Sequence, residues 1–347
     1  MISIIIPTYN NSDTIERALG SILRQTYVDY EVIVVDDKCT DDTMDKVRNY
    51  AQLLDTRLKI VSNKVNSGAG VSRQNGIKAA EGEFVFFLDS DDYLRPDCLQ
   101  MMRMIQRQQD ADIVYSPVHV EFPDNYSSIP FTQKMDEVYM TEGARLTLQV
   151  SDDQMKFVTG KLIRRKLFDK FEFSPKRVGE DVETLFKASY FAKDVRSTKY
   201  CGYVHVFRPG SVLSNKPLFY RYCINAEVTQ SILDFLEDKN EGDIYDFFLA
   251  RGVAYHRDME KKMKTKVIPN KDIKEFSAYW QTVVDWYKAH AEAIEKVESM
   301  ISKFVIHDEG PKDPNDPNYR QNKTAASAVD INTVVTRPIS SLADVTD

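Results

Sequence analysis

Four short strand-like runs punctuate the first ninety residues: "SIIIPTY" (3–9), "EVIVVDD" (31–37), "RLKIVSN" (57–63) and "EFVFFLD" (83–89). The first, second and fourth are continuous apolar stretches, the pattern of strands covered on both faces. Helical patterns fill the gaps. Ile15, Ala18, Leu19, Ile22 and Leu23 share a face, with Asp13 and Glu16 spaced as a capping box. "TDDTMDKVRNYAQLL" (40–54) opens on a Thr cap with acids in its first turn. "SRQNGIKAAEG" (72–82) is a short helix closed by Gly82. "RPDCLQMMRMIQRQ" (95–108) sets Pro96 at a helix start, and "ADIVYSPVHVEF" (111–122) is strand-like. Such alternation predicts an α/β fold, a mostly parallel sheet with helices on both faces.

Ligands of such sheets bind beyond the carboxyl ends of the strands. Those ends carry Pro7-Thr8-Tyr9-Asn10, Asp36-Asp37 and Asp89-Ser90-Asp91-Asp92, so three polar or acidic tips are expected to meet at one crevice. With 53 acids against 46 bases, a net charge of −7 and no dense basic block, stable nucleic-acid binding is not expected. The sequence has no run of about 18 apolar residues, the length a helix needs to cross a bilayer. "MISIIIPTYN" reads as a first strand, not a signal peptide. Cys39, Cys98, Cys201 and Cys223 lie far apart without a CxxC pair, as expected of reduced thiols in a cytoplasmic protein.

The pattern weakens into a loop-rich insertion at 123–150 and turns helical beyond 215. Over 271–306, Ile273, Phe276, Trp280, Val283, Tyr287, His290, Ile294, Val297, Ile301 and Phe304 recur three and four apart. The flanking apolar positions widen that face, which suits a bundle helix buried against 216–264 or against a second copy of the chain. Scattered aromatics and bases in 216–264 leave peripheral contact with the inner face of a membrane open. Residues 307–347 are polar with several prolines and read as a linker or tail.

Carboxylates crowded at a strand end are commonly kept charged by a divalent cation that also holds substrate phosphates, and Mg²⁺ or Mn²⁺ suits such oxygen ligands. Asp89 and Asp91, one residue apart on an irregular turn, can both face the crevice. An acidic turn ahead of the helix at Pro96 is the simpler alternative.

The blocks "SIIIPTYN", "SILRQTYVDYEVIVVDDKCTDDT", "NSGAGVSRQNGIKAAEGEFVFFLDSDDYLRPDCL", "GKLIRRKLF", "GEDVETLF" and "FRPGSV" run in the order of the family 2 glycosyltransferases, which the sequence closely resembles. The resemblance is dense over 1–115 and looser over 156–213. It implies the GT-A fold, a Rossmann-like α/β domain over 1–215, with a nucleotide-binding half at 1–115 and an acceptor-side half at 116–215. A helical region at 216–306 and the tail at 307–347 complete the expected organisation.

The same resemblance implies an inverting, nucleotide-sugar-dependent transferase. Pro7, Thr8 and Tyr9 would shape the donor pocket, and Asp37 would accept the imide proton of uracil. Asn66, Arg73 and Ser90 would line the donor site, with Arg73 offsetting diphosphate charge. Asp89 would contact ribose or metal, and Asp91 would hold Mn²⁺ or Mg²⁺. Asp181 would be the base that takes the acceptor proton, with Glu180 orienting it. Arg208 would reach the diphosphate, while His205 would bind metal or phosphate or be structural. The expected partners are a nucleotide-sugar, most simply a UDP-sugar, and an acceptor hydroxyl in surface glycan or polysaccharide synthesis. A hydroxylated nucleobase, a teichoic-type polymer and a protein side chain are alternative acceptors, and a non-catalytic nucleotide-sugar binding module is a further alternative. The sequence "PTYNNSD" after the first strand, in place of GxGxxG, disfavours a dinucleotide-binding oxidoreductase.

Overall fold

In the computed structural model the apolar runs become β1 (Ile2–Thr8), β2 (Tyr30–Asp36), β3 (Leu58–Ser62) and β4 (Phe84–Phe87). They lie in the order β3-β2-β1-β4, every neighbour parallel. Side chains of successive strand residues point to opposite faces, and both faces are covered. Ile4, Ile6, Val32, Val34, Phe84 and Phe86 pack beneath α1 (Ile15–Leu23), α2 (Thr43–Leu54) and α4 (Cys98–Gln109). Ile5, Ile33, Val35, Val85 and Phe87 face α3 (Ala69–Ala79) and the helix Glu180–Phe191. β3 closes one edge of the sheet, which is why it is only partly covered and leaves Ile60 exposed.

Beyond β4 the sheet continues through β8 (Lys161–Arg164), β6 (Ile113–Tyr115) and β9 (Val195–Ser197), with β8 antiparallel to both neighbours. A second sheet of β5 (Tyr93–Leu94), β10 (Tyr203–Val206) and β7 (Val118–Glu121) forms beside the acidic turn after β4. The structure describes residues 1–121, 157–198, 200–208, 217–239, 241–265, 267–268 and 270–301. The insertion at 123–150 and the tail from 307 lie outside them.

Several boundaries depart from the sequence expectation. No capping box forms at α1; the amides of Thr14 and Ile15 bond the carbonyl of Asn11 instead, because Asp13 sits in the preceding turn. α2 starts at Thr43, where Asp41 Oδ1 accepts the amide at 3.1 Å, and Thr40 is drawn off to Asn10. α3 begins at Ala69, three residues before the expected start.

The chain divides into two compact units, Met1–Arg208 and Pro209–Asp347. In the second, the helices Leu218–Glu237 and Gly242–Lys264 carry a core of Phe219, Tyr222, Cys223, Met259 and Ile268, with Phe276 and Trp280 against it. The heptad segment is not one helix. It breaks at Phe276, His290 and Val297 into Asn270–Glu275, Ser277–Ala289, Ala291–Lys296 and Glu298–Ile301. At His290 the imidazole Nδ1 sits 2.7 Å from the Trp286 carbonyl and the ring stacks on the Trp286 indole. A side chain bonding back to the helix backbone in this way bends or ends it. Among the described residues no helix is long and apolar enough to cross a membrane.

Candidate active site

The carboxyl ends of β1, β2 and β4 lie along the same edge of the sheet because the three strands are parallel neighbours or next neighbours. The turns leaving β1 and β2 each hold a non-glycine residue at positive φ, Asn10 (50°) and Lys38 (70°). Backbone strain of this kind gathers at functional sites. Asn10 and Thr40 tie those turns together, Thr40 N donating to Asn10 Oδ1 at 2.8 Å. Thr8 is buried and Pro7 half-buried, while the Tyr9 ring is 46% exposed and free to stack on a planar ligand.

Asp37 is buried, and its carboxylate accepts three hydrogen bonds: from Asn63 Nδ2 and Ser67 N on Oδ1, and from Gly68 N on Oδ2, all 2.8 Å. It thereby pins the loop that enters α3, where Gly68 needs φ 89°. Of about four acceptor positions on a carboxylate, three are in use. Asn66 accepts from Arg177 at 3.2 Å on Oδ1 and at 2.9 Å on its carbonyl.

The acidic turn after β4 divides its labour. Asp92, 1% exposed, is structural: it accepts from Tyr203 Oη at 2.5 Å and Val206 N at 2.9 Å, and lies 3.1 Å from His205 Nδ1. These bonds fasten β10 to the turn. Burial alone would lower the His205 imidazole, but the bond to Asp92 raises it, and the ring stays partly exposed. Ser90 is buried and donates to Asn11 Oδ1 at 2.8 Å. Asp89 Oδ1 pairs with Arg73 at 2.8 Å. Asp91 is pushed up to about 6, first by burial and then by Asp92 and Asp89. Arg208 faces it, Nε 3.9 Å from Oδ2, with Nη2 buried and without a hydrogen-bond partner among the described residues.

Gly179, φ 80°, precedes and caps the helix Glu180–Phe191. Arg73 Nη1 donates to Asp181 Oδ1 at 2.6 Å and to Glu180 Oε1 at 3.0 Å, and Val158 N reaches Asp181 Oδ2 at 3.3 Å. Burial pushes Glu180 up to about 7, with Asp181 adding to it. Burial also raises Asp181, and Arg73 opposes that shift.

The predicted residues thus collect in two linked groups, Asp89–Arg73–Glu180–Asp181 and Asp91–Arg208–His205. Asp37 and Asn66 act on the loop leading to α3. Asn63, Asn11 and Arg177 were given no role from the sequence, and Asp92 only a place in the acidic tip after β4. A buried tyrosine hydroxyl such as Tyr203 requires a partner, yet nothing in the sequence says that Asp92 is 111 residues away and within reach.

Among the described residues no group of three or more Asp, Glu, His or Cys side chains is spaced to hold a metal ion. Mg²⁺ and Mn²⁺ commonly use one or two carboxylates and complete their shell with water and substrate phosphate. Asp91 fits that use: a half-buried carboxyl that binds a proton too tightly gains from a cation. The unpaired Nη2 of Arg208 fits a phosphate oxygen beside it.

Residues 3–171 match the model of glycosyl transferase family 2. A poly(ribitol-phosphate) beta-glucosyltransferase of Bacillus spizizenii is 39% identical over 115 residues, 32% of this chain and 18% of the relative. The Escherichia coli protein WfgD, a UDP-Glc:alpha-D-GlcNAc-diphosphoundecaprenol beta-1,3-glucosyltransferase, is 36% identical over 115 residues, 33% of this chain and 44% of its own. The chain therefore spans less than half the length of either relative. EpsH of Bacillus subtilis is 28% identical over 265 residues, 74% of each chain. The structure of Staphylococcus aureus TarS 1–349 with UDP-GlcNAc superposes with a TM-score of 0.66 at 23% identity, covering 96% of this chain and 89% of that one. That likeness is one of fold.

Proposed function

Over residues 3–171 this chain belongs to glycosyl transferase family 2, and from that premise we propose that it moves a sugar from a UDP-sugar to a hydroxyl of a cell-surface glycan, inverting the anomeric centre. The observation that carries the reading is the meeting of the β4 tip with the Glu180–Asp181 helix start, through one buried arginine. The names of the relatives support a glycan acceptor and a β-linked product, and the UDP-GlcNAc bound by TarS supports the donor class.

In this reading Tyr9 stacks on the base and the loop held by Asp37 walls the nucleotide pocket. Arg208 donates its unpaired N–H to the diphosphate, where charge grows as the sugar departs. Held by Asp91 with Asp89 beside it, Mn²⁺ or Mg²⁺ would supply Lewis-acid stabilisation of the leaving nucleoside diphosphate. Asp181, fixed between Arg73 and Val158 N, takes the proton of the acceptor hydroxyl during attack. A single carboxylate base, with no second carboxylate acting as nucleophile, implies one in-line displacement.

The test is a panel of UDP-, GDP- and TDP-sugars assayed for Mn²⁺-stimulated hydrolysis and for thermal stabilisation. One UDP-sugar is expected to stand out. Asp181→Asn is expected to cost about 10²- to 10⁴-fold in kcat, and Asp91→Ala to remove the metal stimulation. Full turnover by both variants would sink the proposal.

A further inference from the structure

Arg73 sits on the second turn of α3, 4% exposed, with its guanidinium over the Phe173 ring at 5.7 Å. Its contacts are unequal in origin. Nη2 holds Asp89, at the tip of β4; Nη1 holds Glu180 and Asp181, which begin a helix more than a hundred residues later. Both terminal nitrogens are therefore committed to carboxylates, and the side chain is buried beneath them. An arginine that binds a diphosphate must turn N–H groups towards it: Arg208, 36% exposed, can do so, whereas Arg73 is 4% exposed and only its buried Nε is left without a hydrogen-bond partner among the described residues. A planar guanidinium can serve three carboxylates in fixed directions, which the point charge of a lysine cannot.

The surroundings hold this geometry. Gln74 Oε1 accepts the amide of Phe173 at 2.5 Å, so the residue after Arg73 fastens the segment that carries the ring. A Cβ on Gly70 would lie 2.2 Å from the Ser174 carbonyl and 3.2 Å from Glu180 Cγ. α3 thus lies against both the segment and the helix start, and no side chain fits between.

We propose that Arg73 is a positioning residue: it fixes the Asp181 carboxylate for proton transfer and ties that orientation to Asp89 on the donor side, without itself touching the diphosphate. The inference rests on the transferase reading, and it replaces the sequence expectation that Arg73 offsets diphosphate charge.

The experiment compares wild type, Arg73→Lys and Arg73→Met for UDP affinity in the presence of Mn²⁺, donor KM, kcat and melting temperature. Arg73→Lys, which keeps the charge, is the deciding variant if Arg73→Met does not fold. Expected are a UDP affinity and donor KM within about threefold of wild type and a kcat lower by about 10- to 100-fold, the scale on which misplacing a catalytic group acts. In an Asp181→Asn background the lysine change is expected to add little further loss, since both act through one carboxylate. A tenfold weakening of UDP binding with kcat retained would make Arg73 a diphosphate contact and overturn the inference. So would full additivity with Asp181→Asn. A wild-type protein that turns over no nucleotide-sugar would instead remove the transferase reading, and this inference with it.

Discussion

Glu180 and Asp181 share one arginine and one helix start, yet their two negative charges crowd a site with little water. A glutamate ordinarily loses its proton near 4.5, whereas burial and Asp181 hold the Glu180 proton up to about 7. Between those values the folded chain keeps a proton that the unfolded chain has released. This carboxyl therefore favours the fold fully below about pH 4.5, and that contribution is lost as pH rises through about 7. Glu180→Gln keeps the shape and an oxygen for Arg73 while removing the charge. It is expected to equal wild type near pH 4.5 and to exceed it at pH 8 by about 1–3 kcal/mol, measured by urea unfolding. Equal stabilities at pH 8 would mean that Arg73 fully offsets the burial of this charge. Sequence made the residues of this site visible but not their division of work. "GED" and "DSDD" mark acids at a helix start and a strand end. That Arg73 joins them could not be read, because its partners lie 16, 107 and 108 residues away.

At the scale of elements, α3 is the part on which the site leans, and its glycines show how closely it is packed. A Cβ at Gly76 would meet Ile5 Cγ2 at 2.4 Å and Val35 Cγ2 at 3.3 Å, so β1 and β2 fill the space a side chain would need. Overpacking of this kind typically costs about 1–3 kcal/mol. Gly76→Ala is expected to lower the stability measured by urea unfolding by that amount, and Ile5→Ala, which removes the obstructing methyl, to make the pair less than additive. A Gly76→Ala protein as stable as wild type would mean that α3 can shift away freely. The four strands were legible because apolar runs of their length on a two-sided sheet have few alternatives. Helix starts were less so: Thr40 and Asp13 look like caps, but Asn10 and the turn before α1 claim them. Heptad spacing over 271–306 identified the buried face, as Val283, Tyr287, Val297 and Ile301 show, but spacing carries no information on the break that His290 introduces.

For the molecule as a whole, the balance of 53 acids against 46 bases leaves a net charge of −7, and the proposed donor is itself an anion. The net charge therefore offers no long-range attraction to the donor. In the proposed reading selectivity arises within the few ångströms where Arg208 has an N–H unpaired among the described residues and Asp91 would hold the cation. Salt screens charges beyond about 8–10 Å and leaves close, half-buried pairs largely intact. At saturating Mn²⁺ and subsaturating donor, kcat/KM is accordingly expected to stay level or rise slightly as ionic strength goes from about 0.02 to 0.2 M, since the repulsive far field is what salt removes. A basic surface that steers its substrate behaves in the opposite way, losing rate steeply over the same range. A tenfold fall would reveal a local positive field strong enough to outweigh the net charge, and the recognition of the donor would then have to be sought beyond the Asp91–Arg208 pair.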